Sequence, residues 1–133
     1  MQKYGVDTNV LIRFIVQDNS AQSRKATRFL EKNCTVDRPG HISLVVLCEI
    51  VWVLARAYRY PKDDIVKVLQ TILTTAEFTI ESPTVAWEAF RLYQNGRADF
   101  SDYIICQVNK SAGCVKTVTF DREAAKSVNF QLL

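Results

Sequence analysis

The chain has 133 residues, 48% hydrophobic and 23% charged, with only four Gly and three Pro, a balance that suits one domain with a real core and excludes a disordered or low-complexity chain. Seventeen Lys and Arg against fourteen Asp and Glu leave a net charge of +3, too mild to identify a nucleic-acid partner by itself. Cys34, Cys48, Cys106 and Cys114 contain no CxxC pair and His41 is the one histidine, which speaks against a zinc ribbon or a thioredoxin-like site and for cysteines that are mostly buried small hydrophobes. Asp7, Asn9 and Arg13 interrupt any N-terminal signal, and the longest apolar run, Leu44 to Ala55, is too short to span a bilayer and holds Glu49; a cytoplasmic, reduced protein without a membrane segment is expected.

In MQKYGVDTNVLIRFIV (Met1 to Val16) the hydrophobic period changes at Asp7. Tyr4, Gly5 and Val6 read as a buried strand, and Val10, Leu11, Phe14 and Ile15 recur at helical spacing. Asp7 thus stands on a strand-to-helix corner, where open α/β sheets bind ligands. Asp18-Asn19-Ser20 offers an N-cap for a second helix to about Asn33. On it Arg24, Arg28 and Lys32, at i, i+4 and i+8, line one face, either a stripe that tracks phosphates or a plain solvated one. Arg38-Pro39-Gly40 is a turn and His41-Ile42 a short strand, with His41 read as structural.

Ser43 can cap a third helix, Leu44 to about Tyr58, which is apolar almost all round and has Glu49 as its only charge before Arg56. Such a helix is expected to be buried on most sides, and a carboxylate inside it is costly unless it meets a cation or hydrogen bonds. Pro61 starts a fourth helix to about Thr75, with Asp63 and Asp64 favourably near its N-terminus. Glu77 to Glu81 alternates like a half-buried strand, and Ser82-Pro83 opens a fifth helix with Val85, Ala86, Ala89, Phe90 and Tyr93 inward, ending at Asn95-Gly96. Asp99 then fits an N-cap and Asp102 the third position of a sixth helix reaching about Ala112, the pattern of a capping box. Val115 to Phe120 reads as a buried strand with Asp121 at its end, followed by a short helix over 122–126 and a short strand over 128–131. The alternating order predicts an α/β fold with a mostly parallel sheet between helices.

Asp7 and Asp121 therefore follow apolar strands, Glu49 lies in an apolar helix, and Asp102 opens another beside Asp99. If the strands are parallel, these carboxylates gather at one edge and repel unless a hard divalent cation, Mg²⁺ or Mn²⁺, neutralises them. Such a cation lowers the pKa of a bound water and orients it toward a phosphodiester, while a carboxylate that does not ligate it accepts a proton. Hydrolysis of a phosphate ester is the reaction class this favours. Neither GxxxxGK[ST] nor GxGxxG occurs, and a single histidine excludes a nuclease built on a histidine pair.

Four blocks, VDTNVLIR (Val6 to Arg13), ISLVVLCEIVWVL (Ile42 to Leu54), ADFSDYIIC (Ala98 to Cys106) and TVTFD (Thr117 to Asp121), resemble in order and spacing the acidic motifs of PIN (PilT N-terminus) domains, with most likeness to the virulence-associated protein C toxins of bacterial toxin–antitoxin pairs. The resemblance implies a three-layer α/β/α sandwich with a mostly parallel central sheet, one domain over residues 1–133, and Mg²⁺- or Mn²⁺-dependent endoribonuclease activity on structured RNA such as tRNA or a ribosomal RNA loop. It also implies a homodimer and a small antitoxin whose C-terminal segment covers the active-site groove. On this resemblance Asp7, Glu49, Asp102 and Asp121 match the metal-binding and catalytic acids. Asp99 is a further candidate ligand, Asp102 being taken as the nearer of the two. Thr8, Asn9 and Thr119 match supporting polar positions.

Two other readings stand beside it. A receiver- or phosphatase-like phosphoryl-transfer domain also places aspartates on strand ends, but it leaves Glu49 without a role and expects more than the single Asp7 after the first strand. A catalytically silent PIN-like module would bind RNA or protein without cutting. Trp52 and Trp87 are candidates for a dimer face or for plain core packing.

Overall fold

The computed structural model describes residues 2–133, which form two compact units, one extending through Glu81 and the other covering Ser82–Leu133. The first unit holds α1 (Thr8–Val16), α2 (Ser20–Asn33), β1 (Gly40–Ile42), α3 (Leu44–Arg56), α4 (Lys62–Thr74) and β2 (Phe78–Ile80). The second holds α5 (Pro83–Asn95), α6 (Phe100–Ser111), β3 (Thr117–Thr119), a 3-10 turn (Ala124–Lys126) and β4 (Phe130–Leu132). This is a helix-rich α/β fold with short parallel strands. No helix among the described residues is long and apolar enough to cross a membrane.

In the first unit β1 and β2 pair in parallel, Gly40 opposite Phe78 and Ile42 opposite Ile80. The segment before Asp7 is shorter than the expected strand. It reduces to one parallel bridge of Gly5 with His41, closed by His41 N–H to the Tyr4 carbonyl at 2.8 Å and Val6 N–H to the His41 carbonyl at 2.9 Å. Of its three apolar residues only Val6 is buried, because a single bridge covers little of the chain on either side. His41 lies in β1, with Nδ1 3.3 Å from Thr79 Oγ1 on β2. The core of this unit is Leu11, Leu30, Ile42, Leu47, Ile50, Leu54 and Leu69, all nearly inaccessible.

The third helix departs from its expected burial. Leu44, Val46, Leu47, Ile50, Val51 and Leu54 are buried, but Val45, Glu49, Trp52, Ala55 and Arg56 are exposed. Residues 45, 49, 52 and 56 follow one another at helical spacing, so a nearly all-apolar sequence still leaves one open face, and Glu49 lies on it instead of inside the core. Trp52 is 60% exposed, with the Arg56 guanidinium 5.7 Å from its ring centroid.

In the second unit α5 and α6 pack through an edge-on contact of Tyr93 with Phe100, 5.6 Å between ring centroids, and all five residues expected inward on α5 are buried. Gly96 ends α5 where the chain passes tightly by Tyr103; a Cβ there would collide with the Tyr103 hydroxyl and crowd the Leu92 carbonyl. That hydroxyl accepts the Ala98 N–H at 3.3 Å, fixing the loop into α6. Gly96→Ala is expected to lower stability by about 1–3 kcal/mol through overpacking, read as a lower thermal midpoint.

The expected buried strand over Val115–Phe120 is a three-residue strand with its apolar side outward. β3 pairs in parallel with β4, yet Val118 and Phe120 are 59% and 81% exposed. Its half-buried face is the threonine face, where Thr117 Oγ1 accepts from Asn109 Nδ2 of α6 at 3.1 Å. Side chains alternate across a strand, so seating Thr117 and Thr119 inward turns Val118 and Phe120 outward. All four cysteines are free; Cys34 and Cys106 are buried, Cys48 half-buried and Cys114 exposed. Burial and the neighbouring Glu49 push the Cys48 thiol up to about 11, so it is an inert apolar group at neutral pH.

Candidate functional site

Asp7 stands on the corner that the period change indicates. It N-caps α1 in extended conformation, and its Oδ1 accepts the Thr8 N–H at 2.7 Å. A carboxylate here meets the positive end of the helix dipole, while its exposed position leaves oxygen lone pairs for a ligand. Thr8, only 8% exposed, turns its hydroxyl to α3 and donates to Glu49 Oε1 at 2.8 Å. This bond spans 41 positions of chain and joins the first helix to the third, so Asp7 and Glu49 are held on adjacent supports. Asn9 is exposed in the first turn of α1.

In the second unit Asp99 is the N-cap of α6 and Asp102 its third residue, and Asp102 Oδ2 accepts the Asp99 N–H at 3.2 Å. Burial raises the Asp102 carboxyl above its ordinary value; the Asp99 N–H works against this, and the charges of Asp99 and Asp121 add to it. Asp102 thus feels both of its acidic neighbours. Asp121, past the end of β3, is exposed. Its Oδ1 accepts the N–H groups of Glu123 at 2.8 Å and Ala124 at 3.1 Å, and its own N–H donates to Thr119 Oγ1 at 3.0 Å. Thr119 therefore orders the backbone of the acid.

Among the described residues these acids have no ion-pair partner. The ion pairs among the described residues are Arg13 with Asp18, Arg91 with Glu88 and Lys126 with Glu123, and none involves Asp7, Glu49, Asp99, Asp102 or Asp121. Among the described residues no three His, Cys, Asp or Glu side chains gather closely enough to hold a metal ion. The acids come instead as Asp7 with Glu49, linked by Thr8, and as Asp99 with Asp102, joined in the capping box, with the charge of Asp121 acting on Asp102. In each unit the donors these acids offer are carboxylate oxygens without an ion-pair partner among the described residues, a chemistry that fits a hard cation such as Mg²⁺ or Mn²⁺ rather than zinc.

Arg24, Arg28 and Lys32 are exposed on α2. The cavity that Asp7 borders, with Asn9 and Arg13 of α1, is lined from α2 by Gln22, Lys25, Ala26 and Phe29. The face of α2 beside the acid is thus a different one from the basic stripe. Gln22, Lys25, Ala26 and Phe29 follow an i, i+3, i+4, i+7 pattern, and that pattern, mixed in polarity, is the signal in the sequence for this face.

A PIN domain family model matches residues 4–130. The chain is also similar to the VapC ribonuclease of Aquifex aeolicus (strain VF5), at 26% identity over 121 residues, covering 91% of this chain and 89% of that protein. Since the family match runs through every segment that carries one of the acids, from Asp7 to Asp121, the chain belongs to the PIN domain family.

Proposed function

We propose that this protein is a Mg²⁺- or Mn²⁺-dependent endoribonuclease, the toxin of a type II toxin–antitoxin pair, which cuts structured RNA such as tRNA or a ribosomal RNA loop. The observation that carries the reading is a PIN-family chain, similar to a VapC ribonuclease, in which all the motif acids are intact and have no ion-pair partner among the described residues. Asp7, Glu49, Asp102 and Asp121 are the acids we assign to the metal and to catalysis, with Asp99 as a further ligand and the two units acting as one nuclease domain. A divalent cation bound by such carboxylates supplies an acidified water and charge neutralisation at the phosphodiester.

The chain's own part is positioning. Thr8 fixes Glu49 Oε1 and leaves Oε2 for a ligand. The Asp99 N–H does the same for Asp102, and Thr119 and the turn N–H groups set Asp121. Thr8→Val retains every acid and loses this one bond; it is expected to lower cleavage about 10–100-fold, as loss of a group that orients a metal ligand does, with activity partly restored at higher Mn²⁺.

Arg24, Arg28 and Lys32 are proposed as distant contacts to RNA phosphates. The open face of α3 with Val45 and Trp52, 67% and 60% exposed, is proposed as the homodimer face, and a small antitoxin as the protein partner. The four free cysteines suit a reducing cytoplasm. The test is purified protein with total cellular RNA in Mg²⁺, in Mn²⁺ and in chelator. Discrete metal-dependent cuts are expected; RNA bound but uncut under all three conditions would replace the nuclease with a silent binding module.

A further inference from the structure

Apart from the acids, the second unit holds a cavity of about 520 Å³ bordered by the end of α5, the loop into α6 and the 3-10 turn. Arg91, Arg97 and Lys126 line it together with Asn95 and Ser127, and Glu123 is the one carboxylate in its wall. The cavity is therefore cationic, with neutral donors between the charges.

Its groups are poised for an anion. Arg91 pairs with Glu88 at 3.1 Å and lies 5.9 Å from the Trp87 ring centroid, and Lys126 pairs with Glu123 at 3.0 Å, both ion pairs on the surface. Exposed pairs of this kind contribute little, so a doubly accepting anion displaces them readily. Arg97 has no carboxylate partner among the described residues. Ser127 also borders the cavity, its Oγ buried away from the opening and without a hydrogen-bond partner among the described residues.

The acids hold the walls of this cavity. Asp121 Oδ1 takes the first two N–H groups of the segment that leads to Lys126 and Ser127. Arg97 lies between Gly96, pressed against Tyr103, and Ala98, whose N–H is bonded to the Tyr103 hydroxyl; Asp99 and Asp102 follow at once in the capping box. Each cationic segment is thus continuous with an acidic one.

Resting on the ribonuclease reading, we propose that this cavity is a phosphate subsite for the RNA strand, which binds a backbone phosphodiester other than the one that is cut. Arg97 supplies a planar fork to two phosphate oxygens and Lys126 a point charge, while Asn95, one of whose amide hydrogens goes to the Arg91 carbonyl at 3.1 Å, has a second to offer. The subsite sets where the strand lies and gives binding free energy remote from the reacting bond.

The test is anisotropy of a fluorescein-labelled, mixed-sequence 15-nucleotide RNA in chelator, so that binding is read without cleavage, with metal-dependent cleavage measured in parallel. Arg97→Gln with Lys126→Gln is expected to weaken binding at least 10-fold near 0.1 M salt and to reduce the slope of log K on log salt by about 1.4, two contacts at roughly 0.7 each. Glu123→Gln, which frees Lys126, is expected to tighten binding two- to fivefold, a gain that no misfolded variant gives. Lys110→Gln, at the far end of α6, controls for net charge. Unchanged affinity and slope in the double variant, or an equal loss in Lys110→Gln, overturns the subsite while cleavage by wild type upholds the nuclease. Binding that responds as expected without any cleavage upholds the subsite as an RNA contact and overturns the nuclease. A wild-type protein that neither binds nor cuts overturns both.

Discussion

Asp7→Asn is expected to lower metal-dependent RNA cleavage by about 10³-fold or more, the scale of loss when one member of a catalytic set is removed, and to leave the fold in place. Asn ranks with Asp as an N-cap, and its carbonyl oxygen can still accept the Thr8 N–H that Asp7 now holds at 2.7 Å. What is lost is a negative charge at the positive end of α1, about 0.3–1 kcal/mol, and one oxygen ligand. A thermal midpoint within about 5 °C of wild type is therefore expected. Asp7→Ala loses the cap as well and is expected to cost about 1 kcal/mol more. Cleavage by Asp7→Asn within tenfold of wild type would remove Asp7 from the catalytic set.

Asp121 gives the second large effect and separates chemistry from architecture in another way. Both Asp121→Asn and Asp121→Ala are expected to reduce cleavage by about 10²–10³-fold, comparable to losing a group that stabilises transition-state charge. Only the alanine variant abandons the Glu123 and Ala124 N–H groups, at a further cost of about 1 kcal/mol. Because these bonds anchor the turn that carries Lys126 and Ser127, Asp121→Ala is also expected to bind RNA more weakly in chelator than Asp121→Asn, although both have lost the same charge. Equal stability and equal RNA affinity in the two variants would show that the carboxylate does not organise the turn.

The features legible in the chain are those decided over a few residues. Asp7, Asn19 and Ser43 cap their helices where the period breaks indicate, because an N-cap needs only a short polar side chain and the next two or three N–H groups. Asp99 and Asp102 form their reciprocal pair for the same reason. The inward face of α5 follows from a regular 3.6-residue spacing that one partner helix can satisfy.

Glu49 and Phe120 were not legible in this way. An apolar helix suggests burial all round, but which strip of α3 stays open depends on where its neighbours end, and Glu49 lies on that strip beside Val45 and Trp52. Val118 and Phe120 have the composition of a buried strand, yet the bond between Asn109 and Thr117 seats the other face of β3 on α6. In both cases hydrophobicity is scored residue by residue, whereas burial belongs to the arrangement of elements.

Taken alone, the amino-acid sequence determined the family and the order of the elements, since four spaced motifs and the helix caps are properties of short stretches of chain. The tertiary structure alone decided that Thr8 of α1 holds Glu49 of α3, that the charge of Asp121 acts on Asp102, and that Arg97 and Lys126 line one cavity. A hydrogen bond over 41 positions and a shared cavity over 29 have no local signature. They exist because packing the helices and strands of each unit brings distant residues to the same place, and the hold of Thr8 on Glu49 follows from that packing.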